Sequence, residues 1–435
     1  MTGWLADLIY TGGTFESGLA MMVDEGGAIT RFSREAADLK IAQRLPGRAI
    51  LPGLVNVHSH TFQRVIRGRT EHRTSAQRDT FWTWRESMYH AANAMSPQAL
   101  YHAARMAFLE MLLSGITSVG EFHYVHQDME VAQAIVRAGK ELGLRVTLLR
   151  TAYVRAGWMK DPDPGQARFL TPDVDRFLSD TDTLIASGAQ VGVAPHSVRA
   201  VPLDYLRAVA DYARSRELPL HMHVAEQPAE VEACVAEYGR RPVELLHENG
   251  ILGERFTAVH AIHITDEEAG FLGGSKVCAC PTSERNLGDG AVPADKLFAA
   301  GARICFGSDS NAQIDILEDA RALEYHLRMN KLERAVLETS RLFQSATESG
   351  ARSLSSPGGS LEVGRAADFF TVDLNDCSVA GADRESLLGH VVFSLERTAV
   401  RDVCVAGELA IRDGRHPLQE EIVRDFGQVQ RDLWG

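Results

Sequence analysis

The stretch Leu51-Pro52-Gly53-Leu54-Val55-Asn56-Val57-His58-Ser59-His60 joins a short apolar run to two histidines. The run Leu51–Val57 is nearly continuous in apolar content, which is typical of a strand that is buried on both faces. Residues i and i+2 of a strand point to the same side, so His58 and His60 can share one metal ion. The stretch therefore predicts a buried parallel strand that carries metal ligands at its carboxyl end.

Seven similar runs follow, separated by segments with helical spacing. They are Ile116–Phe122, Arg145–Thr151, Gln190–Ala194, Pro219–Val224, Phe256–Ile262, Lys276–Cys280 and Ala302–Phe306. The clearest helix is Ser96–Ser114, which opens with a capping serine and a proline and ends at Gly115. Eight strands that alternate with helices predict an α/β fold, a (β/α)8 TIM-like barrel over residues 51–360. A doubly wound sheet is the alternative.

The two ends of the chain have a different pattern. Residues 1–50 and 361–435 contain short alternating runs and glycine turns, such as Asp7–Tyr10 before Gly12 and Gly13. Neither end has enough apolar strand to fold alone. We expect both to combine into one small β-sandwich domain beside the catalytic barrel.

The charge of the chain limits its partners. Its 435 residues include 45 Lys and Arg against 58 Asp and Glu, a net charge of −13. Such a chain repels nucleic acid and anionic membrane surfaces, so an anionic ligand would need a local cationic pocket. No targeting or spanning segment is recognisable, and six sparsely placed cysteines predict a reduced, cytoplasmic protein. The oligomeric state is left open, with a homodimer as one option.

The ends of the later strands supply further candidate ligands. The fifth strand ends with His221 and His223, which have the same parity, so periodicity leaves open which one is a third imidazole ligand. Glu226 follows where the strand gives way to a loop, and a carboxylate there suits a proton shuttle. The alternative is that His221 is a core residue and Glu226 a solvated helix-start acid.

The sixth and eighth strands end with His260 and Asp309. An aspartate after a buried strand is costly unless it is paired or bound to a metal, so Asp309 is a candidate ligand and His260 a candidate for orienting water. Helix capping by Asp309 and simple packing of His260 are the alternatives. Dinucleotide, P-loop and serine-hydrolase motifs are absent from the sequence. Attack of a metal-activated water on an sp² carbon fits this set of residues best.

These motifs resemble the amidohydrolase superfamily, and the pair His223 and Glu226 is similar to its deaminase branch. The resemblance implies a metal site with the ligands His58, His60, His223 and Asp309. It also implies catalytic roles for Glu226, His260 and Asp309. The fourth strand, Gln190–Ala194, has no lysine to bridge two metals, so one ion is implied. We expect Zn²⁺, although Fe²⁺ and Mn²⁺ accept the same ligands.

Several longer motifs resemble one family within this branch, the formimidoylglutamate deiminases. They begin at His58, Phe81, Glu121, His223, Gly239 and Asn286 and cover essentially the whole barrel in the correct order. The resemblance implies hydrolytic release of ammonia from N-formimino-L-glutamate, a small dicarboxylate amidine, in histidine degradation. It implies substrate contacts from Gln63, Arg85, Tyr124, His196 and Arg199. Planar guanidinium forks suit carboxylates, and they would supply the local cationic pocket.

One position departs from the family pattern, which usually has histidine where this chain has Asn311. We expect Asn311 to border the pocket and to affect substrate choice, and the polar stretch Thr70–Thr80 to form a lid. Two other functions remain open. One is a deaminase of another amidine or of a purine or triazine ring, which would not need Arg85 and Arg199 to converge. The other is a non-catalytic binding relative.

Overall fold

The computed structural model describes residues 2–72, 80–125, 129–160 and 163–435. The strands are β1 Thr2–Thr11, β2 Thr14–Glu16, β3 Ala20–Val23, β4 Ile29–Ser33, β5 Gln43–Pro52, β6 Leu54–Ser59, β7 Ile116–His123, β8 Arg145–Ala152, β9 Gln190–Pro195, β10 Leu220–Val224, β11 Phe256–His260, β12 Lys276–Ala279, β13 Arg303–Phe306, β14 Phe369–Asp373, β15 Val400–Val405 and β16 Glu408–Ile411.

The helices are α1 Ala36–Ile41, α2 Phe81–Ala94, α3 Pro97–Leu113, α4 Met129–Leu142, α5 Val174–Ala186, α6 Leu203–Arg216, α7 Pro228–Tyr238, α8 Pro242–Glu248, α9 Asp266–Phe271, α10 Pro281–Leu287, α11 Ala294–Ala299, α12 Ile316–Lys331, α13 Thr339–Ala346, α14 Glu348–Leu354, α15 Leu387–Phe393 and α16 Gln419–Trp434. Three 3₁₀ helices span Thr61–Ile66, Pro164–Phe169 and Arg397–Ala399. Within the described residues, no helix has the length and apolar content that crossing a membrane requires.

The strands β6 to β13 form a parallel barrel in chain order. A parallel bridge between Ser59 and Asp309 closes it, because the Asp309 N–H donates to the His58 carbonyl and the His60 N–H donates to the Asp309 carbonyl, each at 2.9 Å. The predicted α/β barrel is confirmed, and each predicted run overlaps one of its strands. The first barrel strand begins later than predicted, at Leu54 instead of Leu51. The run divides at Gly53, and Leu51 and Pro52 end a strand of the other sheet.

Gly53 is required where the chain passes from one sheet to the other. A Cβ atom there would lie 2.2 Å from Oγ1 of Thr117, so no side chain fits. The predicted helix after Ser96 is also present as α3. The Ser96 hydroxyl accepts from the Ala99 N–H at 3.1 Å, and the chain leaves the helix through Gly115 at φ +89°.

Both ends of the chain contribute to the second sheet, as predicted. Its order is β16-β15-β14-β5-β1-β3-β4, and β2 pairs with β1. Trp4, Ile50 and Phe369 pack in its core. The last helix, α16, instead returns to the barrel, where Glu421 pairs with Arg105 at 2.7 Å. The domain boundaries at residues 50 and 360 stay a prediction.

Candidate metal and active site

Three imidazoles and one carboxylate converge at the carboxyl ends of the barrel strands. The Nε2 atom of His58 lies 3.1 Å from Nε2 of His60 and 3.2 Å from Nε2 of His223. Oδ1 of Asp309 lies 3.2 Å from the His58 atom and 3.3 Å from the His60 atom. Tetrahedral zinc with bonds of about 2.0–2.1 Å to nitrogen places its ligand atoms roughly 3.3 Å apart. The group therefore fits a metal ion.

Backbone carbonyls hold the far side of two of these rings. Nδ1 of His60 donates to the Phe122 carbonyl at 2.9 Å, and Nδ1 of His223 donates to the His196 carbonyl at 3.1 Å. A carbonyl only accepts, so Nδ1 carries the hydrogen and the Nε2 lone pair faces the other ligands. The two rings are thus fixed in the tautomer that a metal requires.

Burial tunes the protonation of these ligands. It lowers the pKa of His58 to about 3 and that of His223 well below its ordinary value. Burial alone would raise the pKa of Asp309, but its close contacts with the imidazoles of His58 and His60 hold that pKa well below its usual range. Neutral imidazoles and an ionised carboxylate are the protonation states that bind a metal.

The structure separates the two histidines of the fifth barrel strand. Both point into the barrel, but His221 lies deeper, where its Nε2 is 3.2 Å from the Ser353 carbonyl. Burial lowers the pKa of His221 to about 4, so its ring is neutral. Only His223 belongs to the group of potential metal ligands, because it stands one pleat closer to the rim.

Two further candidate residues face this group. Nε2 of His260 lies 3.8 Å from Oε1 of Glu226. Burial raises the pKa of the Glu226 carboxyl. The loop that carries Glu226 is itself anchored by Glu230, whose carboxylate accepts from the Ala225 N–H at 3.3 Å and from the Glu226 N–H at 3.1 Å. Ala225 has φ +50°, a conformation that this anchor helps to hold.

A cavity joins the metal group, meaning the side chains of His58, His60, His223 and Asp309, to the predicted substrate contacts. It is lined by His60, Gln63, Arg85, Tyr124, His196, Arg199, His223, Glu226 and Asp309, together with neighbouring aromatic and apolar side chains. The Gln63 amide donates to the Tyr124 hydroxyl at 3.1 Å. Oε1 of Gln63 is buried and has no hydrogen-bond partner among the described residues. That carbonyl can accept an N–H group from a bound molecule.

The two predicted arginines converge on one side chain. Nη2 of Arg85 lies 3.2 Å from the Tyr153 hydroxyl, and Nη1 of Arg199 lies 3.5 Å from the same oxygen. Their positive charge at the cavity wall provides the local cationic pocket that an acidic chain needs for an anionic ligand.

All eleven predicted site residues lie in or directly beside this cavity, and their chemical roles stay predictions. Asn311 differs from expectation. Among the described residues, Asn311 does not line the cavity. Its side chain is fully buried, where it forms hydrogen bonds with Ser59 at 3.1 Å and with Ser308 at 2.6 Å. Most of the predicted lid, residues 73–79, lies outside the described residues.

Sequence reasoning missed several supporting residues. Glu284 contacts His260, Glu230 anchors the loop of Glu226, and Tyr153 contacts both arginines. Tyr153 directly follows β8, so its position at a strand end is a signal that could have found it. Glu284 and Glu230 lie on helices, and their spacing in the chain gives no such signal.

The closed parallel barrel and its group of three histidines and one aspartate define a metal-binding β/α-barrel enzyme. The chain belongs to the amidohydrolase family, whose model matches residues 49–410.

Three relatives show the extent of the similarity. The chain is 38% identical over 422 residues to the formimidoylglutamate deiminase of Pseudomonas aeruginosa, with 92% of each chain covered. It is 32% identical to the 8-oxoguanine deaminase of the same organism, with 84% of this chain and 82% of the relative covered. A crystal structure of an amidohydrolase from Brucella melitensis matches 100% of each chain with a TM-score of 0.92 and 33% identity. The prediction of a hydrolase that acts on C–N bonds is confirmed.

Proposed function

We propose that this protein hydrolyses N-formimino-L-glutamate to N-formyl-L-glutamate and ammonia, as a cytoplasmic step of histidine degradation. The observation that carries the proposal is the convergence of Arg85 and Arg199 in the cavity that also contains the metal group. A substrate with two carboxylates next to a reactive C=N bond matches both halves of this cavity. The similarity to the Pseudomonas aeruginosa deiminase supports the same substrate.

A single Zn²⁺ would be held by His58, His60, His223 and Asp309, whose donor atoms have the spacing described above. When bound, such an ion supplies Lewis-acid activation of water near neutral pH. The remaining chemistry falls to side chains of this chain.

Glu226 acts as the proton shuttle in this proposal. Its carboxylate takes a proton from the water as the oxygen attacks the formimino carbon, and it passes this proton to the formimino nitrogen. It then carries the second proton, from the new hydroxyl group, to the same nitrogen, and the C–N bond breaks to release ammonia as the C=O bond forms. His260, 3.8 Å from Glu226, orients the water and stabilises the ionised carboxylate. A raised carboxyl pKa makes Glu226 a better proton acceptor, and later donor, than an exposed glutamate.

The other cavity residues position the substrate. The free carbonyl of Gln63 accepts from the formimino N–H, and the Tyr124 hydroxyl supports Gln63. His196, Arg85 and Arg199 bind the carboxylates. Ring deaminases are the rival proposal, because 8-oxoguanine deaminase is also a relative. A neutral ring makes no use of two converging guanidinium groups, so we favour the dicarboxylate.

The test is ammonia release from N-formimino-L-glutamate by the zinc-loaded protein, compared with its Glu226→Gln variant. We expect turnover to fall by about three orders of magnitude in the variant while metal content stays the same. Glu232→Gln, which changes an exposed glutamate on α7, is the matched control. No release by the zinc-bound wild type contradicts the substrate, and near-normal release by Glu226→Gln contradicts the shuttle.

A further inference from the structure

The Tyr153 phenol is the centre of a buried hydrogen-bond network behind the two arginines. Its oxygen accepts from Gln166 Nε2 at 2.8 Å, from Arg85 Nη2 at 3.2 Å and from Arg199 Nη1 at 3.5 Å. The ring is 2% exposed and packs edge-on against His196, with ring centres 4.7 Å apart. The phenol therefore has one fixed position from which it contacts both guanidinium groups.

A second tyrosine extends this network. Arg85 Nε donates to the Tyr89 hydroxyl at 2.5 Å, and the same Gln166 amide donates to that hydroxyl at 2.9 Å. Gln166 is fixed in turn, because its side-chain carbonyl accepts from the Asp163 N–H at 2.9 Å. Two phenols thus contact Arg85, and one amide holds both phenols in place.

The Tyr153 oxygen also affects the electrostatics of the two arginines. Two neighbouring guanidinium groups repel each other, and an electron-rich oxygen between them reduces that repulsion. Burial alone would raise the pKa of Tyr153, but Arg199 and Arg85 outweigh it and lower that pKa, which reports the same attraction.

We infer that Tyr153 is a positioning residue that joins Arg85 and Arg199 into one carboxylate-binding unit and sets the length of dicarboxylate that the cavity accepts. The inference rests on the proposed function, because it concerns the same substrate. Tyr153 acts through the arginines and takes no part in the proton transfer at Glu226. Its loss should therefore weaken binding and loosen length selection while the chemical step continues.

The variant that tests this is Tyr153→Phe, which keeps the ring and removes the shared oxygen. We expect KM for N-formimino-L-glutamate to rise about tenfold with kcat within about twofold of wild type. The preference for this substrate over N-formimino-L-aspartate, which is one methylene shorter, should shrink. Tyr205→Phe is the matched control, because it also removes a buried phenol hydroxyl. In the part of the chain that the structure describes, this hydroxyl donates only to the Thr171 carbonyl, at 2.9 Å.

Unchanged KM and length preference in Tyr153→Phe would overturn the inference, as would a loss confined to kcat. If this variant does not fold, Gln166→Met replaces it, since it removes the amide that donates to both phenols. A wild-type KM in Gln166→Met would then overturn the inference.

Glutarate separates this inference from the proposed substrate. We expect this unreactive dicarboxylate to raise the melting temperature of the wild type and to do so less in Tyr153→Phe. If the wild type releases no ammonia but shows this Tyr153-dependent protection, the proposed substrate is wrong and the inference stands. If glutarate protects neither protein, or protects both equally, the inference is wrong.

Discussion

Nδ1 of the His260 imidazole lies 3.2 Å from Oε1 of Glu284, and both side chains are almost fully buried. The same carboxylate oxygen accepts from the Cys280 N–H at 2.8 Å, which fixes its position. Nδ1 therefore carries a hydrogen, and Nε2 of His260 is turned toward Glu226. Burial alone would lower the pKa of His260, but Glu226 and Glu284 outweigh it and raise that pKa well above its ordinary value.

The first prediction concerns Glu284→Gln, which keeps the shape of the side chain and removes its charge. We expect kcat to fall about tenfold to a hundredfold, with KM and metal content nearly unchanged, because His260 is less firmly oriented. The measurement is steady-state kinetics together with metal analysis. Glu324→Gln is the control, since Glu324 is an equally buried glutamate on α12 that accepts from the N–H groups of Val336 and Leu337 in the loop before α13. An equal loss of kcat in both variants would show a general effect of stability.

The second prediction concerns the acid limb of the pH profile. Glu226 must be ionised to accept a proton, and burial raises its pKa. Activity should therefore fall as the pH drops through a value above the ordinary carboxyl range, while an exposed carboxylate would still be ionised there. The measurement is kcat/KM against pH for the metal-loaded protein. An acid limb at the pKa of an ordinary exposed glutamate would contradict this account.

The fold and the metal group could be predicted from local sequence because both depend on strand periodicity. His58, His60 and Asp309 could be recognised as candidate ligands because each lies at the end of an apolar run in the sequence. Parity could not choose between His221 and His223, since their difference is depth in the barrel. Contacts such as Glu284 with His260, 24 residues apart, and Tyr153 with Arg199, 46 residues apart, exist only because neighbouring barrel strands bring their carboxyl ends side by side.

The third prediction concerns the arginine forks. Arg85→Lys and Arg199→Lys keep the positive charge and lose the planar pair of donors, so each should raise KM about tenfold and leave kcat nearly unchanged. Steady-state kinetics on N-formimino-L-glutamate test this. Arg207→Lys, an exposed arginine on α6, is the control and should not alter KM. An unchanged KM in both site variants would contradict the dicarboxylate substrate.

The fourth prediction concerns removal of the metal. An ion bound by four buried side chains stabilises the folded state by mass action, because the unfolded chain does not bring these ligands together. Treatment with a chelator should lower the melting temperature by on the order of 5 °C, and added Zn²⁺ should restore it. His58→Ala should melt at the same temperature with and without Zn²⁺. A zinc-dependent increase in His58→Ala would show that the ion binds elsewhere.

The last prediction concerns Asn311, which lies beside Asp309 in the seam that closes the barrel. Its amide donates to Ser59 Oγ at 3.1 Å and its carbonyl accepts from Ser308 Oγ at 2.6 Å, so one side chain ties the loop of Asp309 to β6. Asn311 has φ +55°, which glycine adopts without strain, so Asn311→Gly removes only the side-chain contacts.

We expect Asn311→Gly to weaken zinc binding about tenfold, because Asp309 is no longer held in position. The KM for N-formimino-L-glutamate at saturating zinc should stay unchanged, since the Asn311 side chain does not reach the cavity lining. Competition with a zinc chelator measures the first quantity and steady-state kinetics the second. The control is Asn375→Gly, which removes an exposed asparagine side chain from the loop after β14 in the second sheet. A raised KM with normal zinc affinity would instead place Asn311 in substrate selection, as the sequence alone suggested.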